Sequence, residues 1–305
     1  MLALVTVAAP PHVELGEVAD PEPARDEALV EVRAFSLNRG ETRRLATMEP
    51  GSVTGWDVAG VVRDPAADGS GPAAGARVVG YVNPGAWAQL AAVKTERLAE
   101  LPETVSFVQA ATLPIAGLTA LRALEIAGFV LGKRVLVTGA SGGVGRFAIQ
   151  LAKLAGAHVS AIARRTDGLA ALGADEVAQE LEPEGPDYEV VIDAIGGPVL
   201  GTALRRVAPF GTVVNFGATT PEPVSYPTRE LFSRAPGAKL VGLYIFPELD
   251  HTRSASRDLR RLADLIAAGK LDPQIDLTAS WRDATGAIEA LLARRVNGKA
   301  VLVVD

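Results

Sequence analysis

Residues 134–145 read Arg134-Val135-Leu136-Val137-Thr138-Gly139-Ala140-Ser141-Gly142-Gly143-Val144-Gly145, and this stretch decides the fold. The first five residues form a β-branched, apolar run, the pattern of a buried strand. A glycine cluster follows at once. Val144, Phe147, Ala148, Leu151 and Ala155 then recur at the spacing of one helical face. Residues 158–163 form a second apolar strand. Strand, helix and strand within about 30 residues make a parallel βαβ unit. In the bend, Ala140, Gly142 and Gly145 hold the three small-residue positions of G-x-G-x-x-G, with Ala at the first. Such a bend turns tightly, lets the backbone approach a pyrophosphate and packs helix closely on strand. The helix start then offers N–H groups and positive dipole to phosphate. Glycines also occur at such turns for steric reasons alone. The strand before the motif and the amphipathic helix after it favour nucleotide binding.

Working outward, the alternation continues downstream. Strands are expected at 188–193, 211–216 and 239–246, with a helix at 198–207. This is a doubly wound α/β pattern. A helix at 118–127 precedes it. Upstream, short β-rich runs at 28–32, 58–62 and 76–81 are separated by Gly/Pro/Asp stretches such as 64–72, which predicts a compact antiparallel barrel. The chain closes with helices at 256–268 and 283–294 and a strand at 299–304. The expected division is 1–115, completed by 255–305, for the barrel domain, and 116–254 for the nucleotide domain.

Bulk properties exclude several function classes. The formal net charge is −6 with scattered acids and bases, so no basic stripe points to nucleic acid or an anionic membrane. The chain has no cysteine, which removes disulfides and cysteine-ligated metal sites. Residues 1–9 are apolar but lack a positive start and stop at Pro10-Pro11, unlike a signal peptide. No run approaches about 20 apolar residues, so no membrane span and a cytoplasmic location are expected.

The end of the second strand bears on cofactor choice. An NAD-selective site carries Asp or Glu about 20 residues beyond the glycines, to hold the ribose hydroxyls. This chain has Ala163-Arg164-Arg165 there. Two guanidiniums cannot accept hydroxyl protons but can grip a 2′-phosphate, so NADPH is favoured over NADH. The alternative is a solvated basic loop.

Taken in order, further motifs carry a family resemblance. They are 36–41 (Ser-Leu-Asn-Arg-Gly-Glu), 55–60 (Gly-Trp-Asp-Val-Ala-Gly), 75–80 (Gly-Ala-Arg-Val-Val-Gly), 110–114 (Ala-Ala-Thr-Leu-Pro), 116–121 (Ala-Gly-Leu-Thr-Ala-Leu), the glycine bend, and 297–302 (Asn-Gly-Lys-Ala-Val-Leu). Across nearly its whole length the chain resembles the medium-chain dehydrogenase/reductase superfamily, in its zinc-free quinone oxidoreductase branch. That resemblance implies a Rossmann-type parallel-sheet domain plus a GroES-like antiparallel β-barrel catalytic domain. It implies a substrate between the two, and a homodimer through edge strands, with 211–216 and 239–246 as candidate edges. The zinc-ligand positions of zinc-dependent relatives fall at Asn38, Trp56 and Ile115-Ala116, poor ligands all. His12, His158 and His251 are too dispersed to replace them.

The resemblance also transfers roles by position. Asn38 matches an Asn near the nicotinamide whose amide can donate to an oxyanion; Asn is also a common loop cap. Thr119 matches a contact to the carboxamide, or packs and caps its helix. Ala140, Ser141, Gly142, Gly143, Val144 and Gly145 hold the pyrophosphate. Asn215, Phe216, Gly217, Leu243 and Tyr244 match a nicotinamide-lining segment, although Phe216 and Tyr244 are equally readable as core aromatics. Asn297 and Lys299 match a loop closing on the cofactor, or Lys299 is a surface charge. Asp57 reads as a buried carboxylate supporting Arg or backbone groups, and Asp193 as part of a strand-end turn. Tyr81 and Tyr244, or solvent, remain as proton donors, and Tyr244 joins Asn38 and Thr119 among the catalytic candidates. The glycine bend also resembles the short-chain dehydrogenase motif, but no lysine stands four residues after any tyrosine: the residues there are Gly85, Ile192, Glu230 and Glu248. The implied activity is hydride transfer to a quinone, or to an enone, 2-alkenal or enoyl thioester. The alternative from another class is a non-catalytic NADPH-binding sensor.

Overall fold

The computed structural model describes residues 1–10 and 12–305. Pro11, half of the Pro10-Pro11 break, lies outside the described residues. The chain divides into two compact units: Met1–Leu118 with Leu249–Asp305, and Thr119–Glu248.

In the first unit β1 (Leu2–Thr6) and β2 (Val13–Glu17) form an antiparallel hairpin. The larger sheet is built on β3 (Glu27–Leu37), with β4 (Asp57–Asp64), β5 (Arg77–Tyr81), β6 (Leu90–Lys94) and β7 (Leu98–Glu100). β3 is eleven residues long because register slips between Leu29 and Val30, and between Val32 and Ala34, bend it against β4. Its other edge pairs with β6. Short helices α1 (Arg39–Thr42) and α2 (Phe107–Ala110) follow β3 and β7. A π-helical turn, Leu113–Gly117, then runs into α3 (Leu118–Ala127). Fully buried Phe35, Leu37, Val58, Val78 and Trp87 fill the core, with Phe35 and Trp87 stacked at 5.8 Å.

The second unit holds six parallel strands: β8 (Arg134–Thr138), β9 (His158–Ile162), β10 (Glu176–Ala178), β11 (Tyr188–Asp193), β12 (Val207–Asn215) and β13 (Lys239–Gly242). Their order is β10-β9-β8-β11-β12-β13, so the winding reverses between β8 and β11. In such sheets ligands bind where the order reverses, beyond the carboxyl ends of the strands. α4 (Gly143–Leu154) follows β8, α5 (Gly197–Arg205) follows β11, and α6 (Thr228–Arg234) precedes β13. Phe147, Ala148 and Leu151 of α4 are buried as their spacing predicts, whereas Ala155 is the exposed C-cap.

Two further sequence expectations are corrected here. Residues 211–216 are not an edge, because β12 lies between β11 and β13; the edge is β13. Residues 239–246 are not one strand: β13 stops at Gly242 and α7 (Ile245–Thr252) begins three residues later. Pro247 falls in its first turn, where a missing N–H costs nothing.

The chain returns to the first unit through α8 (Ala255–Ala267), β14 (Ile275–Ser280), α9 (Ala284–Leu292) and β15 (Lys299–Val303). β15 pairs antiparallel with β3, placing Ala300 opposite Leu37. Trp281 and Ile288 join the core. No helix among the described residues is long and apolar enough to cross a membrane.

Candidate functional site

In the second unit the glycine bend leaves β8 at the switch point. Gly139 turns with φ of +62°, and Ala140 N–H donates to Ile162 O at 3.1 Å, joining the ends of β8 and β9. A Cβ on Gly145 would stand 2.6 Å from Gly139 O and 2.7 Å from Ala140 Cα, both backbone, so the helix start packs here only as glycine. The N–H groups of Gly143, Val144 and Gly145 have no backbone carbonyl partner among the described residues. Ser141, Gly142, Gly143 and Val144 keep access to solvent. A twelve-residue helix with donors presented at its start, fronted by a bend of small residues, fits a diphosphate.

Beyond β9, Arg164 is exposed and Arg165 is half-buried. Both lie on the loop next to the glycine bend, because β8 and β9 are neighbours with Thr138 opposite Ile162.

Asp193, at the end of β11, is fully buried and binds three strand ends together. It accepts from Thr138 Oγ1, from Gly196 N at 2.9 Å and from Asn215 Nδ2 at 2.6 Å. The Asn215 amide also donates to Gly217 O at 2.8 Å, which holds the segment 215–217 at the carboxyl edge of the sheet. Phe216 is half-buried, Leu243 is buried and Tyr244 is 53% exposed, so Tyr244 is not a core aromatic; its ring meets Phe246 edge-on. Thr119, in the first turn of α3, is buried.

In the first unit, antiparallel pairing of β15 with β3 and of β3 with β4 gathers Ser36, Asn38, Asp57 and Lys299. Lys299 is 3% exposed, not a surface charge; its Nζ donates to Asn38 Oδ1 at 2.9 Å and to Leu37 O at 3.3 Å and lies 3.8 Å from Asp57 Oδ2. Asn38 Nδ2 donates to Asp57 Oδ2 at 2.8 Å and to Glu41 Oε1 at 3.2 Å. Its oxygen faces an ammonium and its nitrogen two carboxyl groups, so hydrogen bonding fixes the orientation of the amide. Both Nδ2 protons are engaged within the protein, and Oδ1 is the atom with a lone pair to spare. Asp57 also accepts from Ser36 Oγ and, at 2.9 Å, from Ile115 N–H in the π-helical turn. Asp57 thereby supports a backbone group, one of the two roles its sequence context suggests. Asn297 N–H donates to Asp276, while its Oδ1 is buried without a partner among the described residues.

Glu41 was not singled out from sequence. Its carboxylate accepts from Asn38 N–H at 2.7 Å, so Asn38 and Glu41 cap the short helix α1. The spacing Asn-x-x-Glu was the available signal. Burial, reinforced by the Asp57 charge, pushes the Glu41 carboxyl well above the usual range. Burial also raises Asp57, opposed by Lys299 and its hydrogen bonds. Burial pulls Lys299 down, opposed by the two carboxylates. One ammonium faces two buried carboxyls, and the cluster is neutral when one of them keeps a proton. Burial pushes both carboxyls up, and Glu41 Oε2 is buried without a partner.

Tyr81 is buried under the Arg97 guanidinium, 5.0 Å from its ring centre, and burial pushes its phenol up to about 12. Trp56 is buried with its ring against Gly40 and the Arg44 guanidinium. Among the described residues no group of three His, Asp or Glu is placed to hold a metal ion.

Comparison with known proteins agrees with this architecture. Residues 24–103 match the alcohol dehydrogenase GroES-like domain, and residues 172–302 match the zinc-binding dehydrogenase family. The chain is 30% identical over 316 residues to the quinone-oxidoreductase homolog of the spinach chloroplast, covering 94% of this chain and 92% of that one. It belongs to the zinc-free, quinone oxidoreductase-like branch of the medium-chain dehydrogenase/reductase superfamily. Within that superfamily it is 32% identical to the 2-methylene-furan-3-one reductase of tomato, over 93% of this chain and 74% of that one. An alcohol dehydrogenase superfamily protein from Novosphingobium aromaticivorans superposes over the full length of both chains, with a TM-score of 0.90 and 29% identity. The GroES-like and Rossmann-like expectations hold.

Proposed function

We propose that this chain is an NADPH-dependent reductase that delivers hydride to a quinone or a related conjugated carbonyl compound. The observation that carries the reading is the switch-point bend of the second unit. There, free N–H groups of Gly143, Val144 and Gly145 lie beside a loop carrying Arg164 and Arg165 and no acidic residue at either position.

In this reading the bend Ala140–Gly145 receives the diphosphate through backbone N–H groups and the dipole of α4. Arg164 and Arg165 take the 2′-phosphate as charge-assisted donors. Asn215, Phe216, Gly217, Leu243, Tyr244 and Thr119 line the nicotinamide end, with Asp193 fixing the backbone of that segment. When bound, the reduced nicotinamide supplies the hydride. The chain's own contribution is orientation: Asn38, locked by Lys299, Asp57 and Glu41, presents Oδ1 as a fixed acceptor at low reorganisation cost. With its phenol raised to about 12, Tyr81 is poorly matched to neutral pH as a proton source.

The second reading, reduction of an enone or enoyl thioester, is favoured by the likeness to 2-methylene-furan-3-one reductase, whose name describes a conjugated exocyclic enone. Steady-state oxidation of NADPH with 1,4-benzoquinone and with 2-cyclohexenone separates the two. Faster turnover of the quinone is expected. Turnover of the enone alone would replace the first reading by the second. Tight NADPH binding with no turnover of either would leave the sensor.

A further inference from the structure

We infer that Arg146 is the positioning residue behind selectivity for the 2′-phosphorylated nucleotide, because it clamps the Arg164–Arg165 loop to the glycine bend. The inference rests on the NADPH reading above and assigns it a residue outside both the bend 140–145 and the arginine pair.

Arg146 is the fourth residue of α4 and only 4% exposed. Two costs attend this placement. A cation in the first turn stands at the positive end of the helix dipole, and burying an arginine forfeits much of its rotamer freedom. A residue that merely filled space here would be small and neutral. Helical side chains lean toward the N-terminus, which carries the guanidinium back over the bend. There its Nε donates to Ser141 O at 3.2 Å and its Nη2 to Asp167 O at 3.1 Å.

Those two carbonyls belong to different loops. Ser141 lies in the glycine bend. Asp167 lies in the loop that leaves β9 with Arg164 and Arg165, and the adjoining Gly168 turns with φ of +77°. The two are 26 residues apart in sequence (167 − 141), and one planar fork spans both. The same loop is held at its start, where Gln179 Nε2 donates to Arg164 O at 3.3 Å. The arginine pair thus sits between two pins, one at Arg164 and one at Asp167. An exposed arginine on an unfixed loop loses much of its phosphate affinity to the entropy of ordering that loop. Holding the loop beforehand removes that cost for the 2′-phosphate, and for no other part of the nucleotide. A lysine at this position keeps the charge but has no fork to reach two carbonyls at once.

The test is calorimetric titration of wild type, Arg146→Lys and Arg146→Gln with adenosine 2′,5′-bisphosphate and with adenosine 5′-monophosphate. These probes differ only in the 2′-phosphate. Wild type is expected to prefer the bisphosphate. Both variants should lose about tenfold of their affinity for it, equivalent to about 1.4 kcal/mol, and hold the monophosphate within about threefold. Should the glutamine variant not fold, the lysine variant decides alone. An unchanged preference in the variants, or equal weakening of both probes, overturns the inference and leaves Arg146 a structural residue. A wild type without preference overturns the NADPH reading itself, and that result appears in the wild-type arm whatever the variants do.

Discussion

Replacing Glu41 by glutamine probes the buried charge cluster through the pH dependence of stability. Glu41 is 1% exposed; Oε1 accepts from the backbone and amide of Asn38, and Oε2 has no partner. Burial and the adjacent Asp57 carboxylate raise its pKa well above 4.5. The unfolded chain releases this proton near 4.5, while the folded chain retains it to higher pH. Between those two points the unfolded state binds fewer protons. Wild-type stability therefore falls as pH rises, by about 1.4 kcal/mol per pH unit for one site, and the loss is absent below the unfolded value. Glutamine keeps the volume and the carbonyl acceptor but has no proton to release. The stability of Glu41→Gln relative to wild type should climb by about 1.4 kcal/mol per unit above pH 4.5 and level off above the folded pKa. Asp57 and Lys299 are coupled to Glu41, so the difference reports the titration of the cluster, with Glu41 as the group removed. Urea denaturation of both proteins from pH 4.5 to 8 measures it. A difference that does not change with pH would mean that Glu41 is ionised in the folded protein, and would refute the neutral-cluster account.

Three other outcomes follow from the same geometry. Gly145→Ala forces a Cβ to 2.6 Å from a backbone carbonyl, and should cost about 1–3 kcal/mol in thermal denaturation together with most nucleotide affinity; normal values for both would disprove the tight bend. Asp193→Asn places an amide donor among donors from Thr138, Gly196 and Asn215, and should destabilise by about 2–4 kcal/mol in urea titration, whereas a loss under 1 kcal/mol would remove Asp193 as the tie between strand ends. Leu240, on edge strand β13, is 51% exposed; we propose a homodimer through that edge, so Leu240→Arg should convert a dimeric wild type to monomer in sedimentation velocity, and an unchanged dimer contradicts it.

Local pattern explains which parts of the fold were legible. β8, the bend and α4 announce themselves because a β-branched run, small residues and a 3.6-residue period follow one another without a break. Strand order is not written in any local pattern: 211–216 is as apolar as an edge can be, and only the pairing of β13 beyond it shows that it is internal. Short strands such as β7 and β10, three residues each, carry too little periodicity to be recognised. At 245–247, Ile-Phe-Pro follows Tyr244 and looks β-like, but Pro247 suits a helix start as well as a strand end. The site divides the same way. Asn38, the glycine bend and the arginine pair were visible as motifs. The burial of Lys299 beside Asn38 and Asp57 arises from the register of β15 on β3, which joins residues more than 250 positions apart.

In the proposed reading the second unit holds NADPH through a bare helix start and an arginine pair. Titrating wild type and the double variant Arg164→Ala/Arg165→Ala with NADPH and with NADH tests it most directly. Wild type should bind NADPH more tightly, and the variant should lose roughly ten- to a hundredfold of that affinity while its NADH affinity stays near the wild-type value. Equal losses for both nucleotides, or a wild type indifferent to the 2′-phosphate, would contradict it.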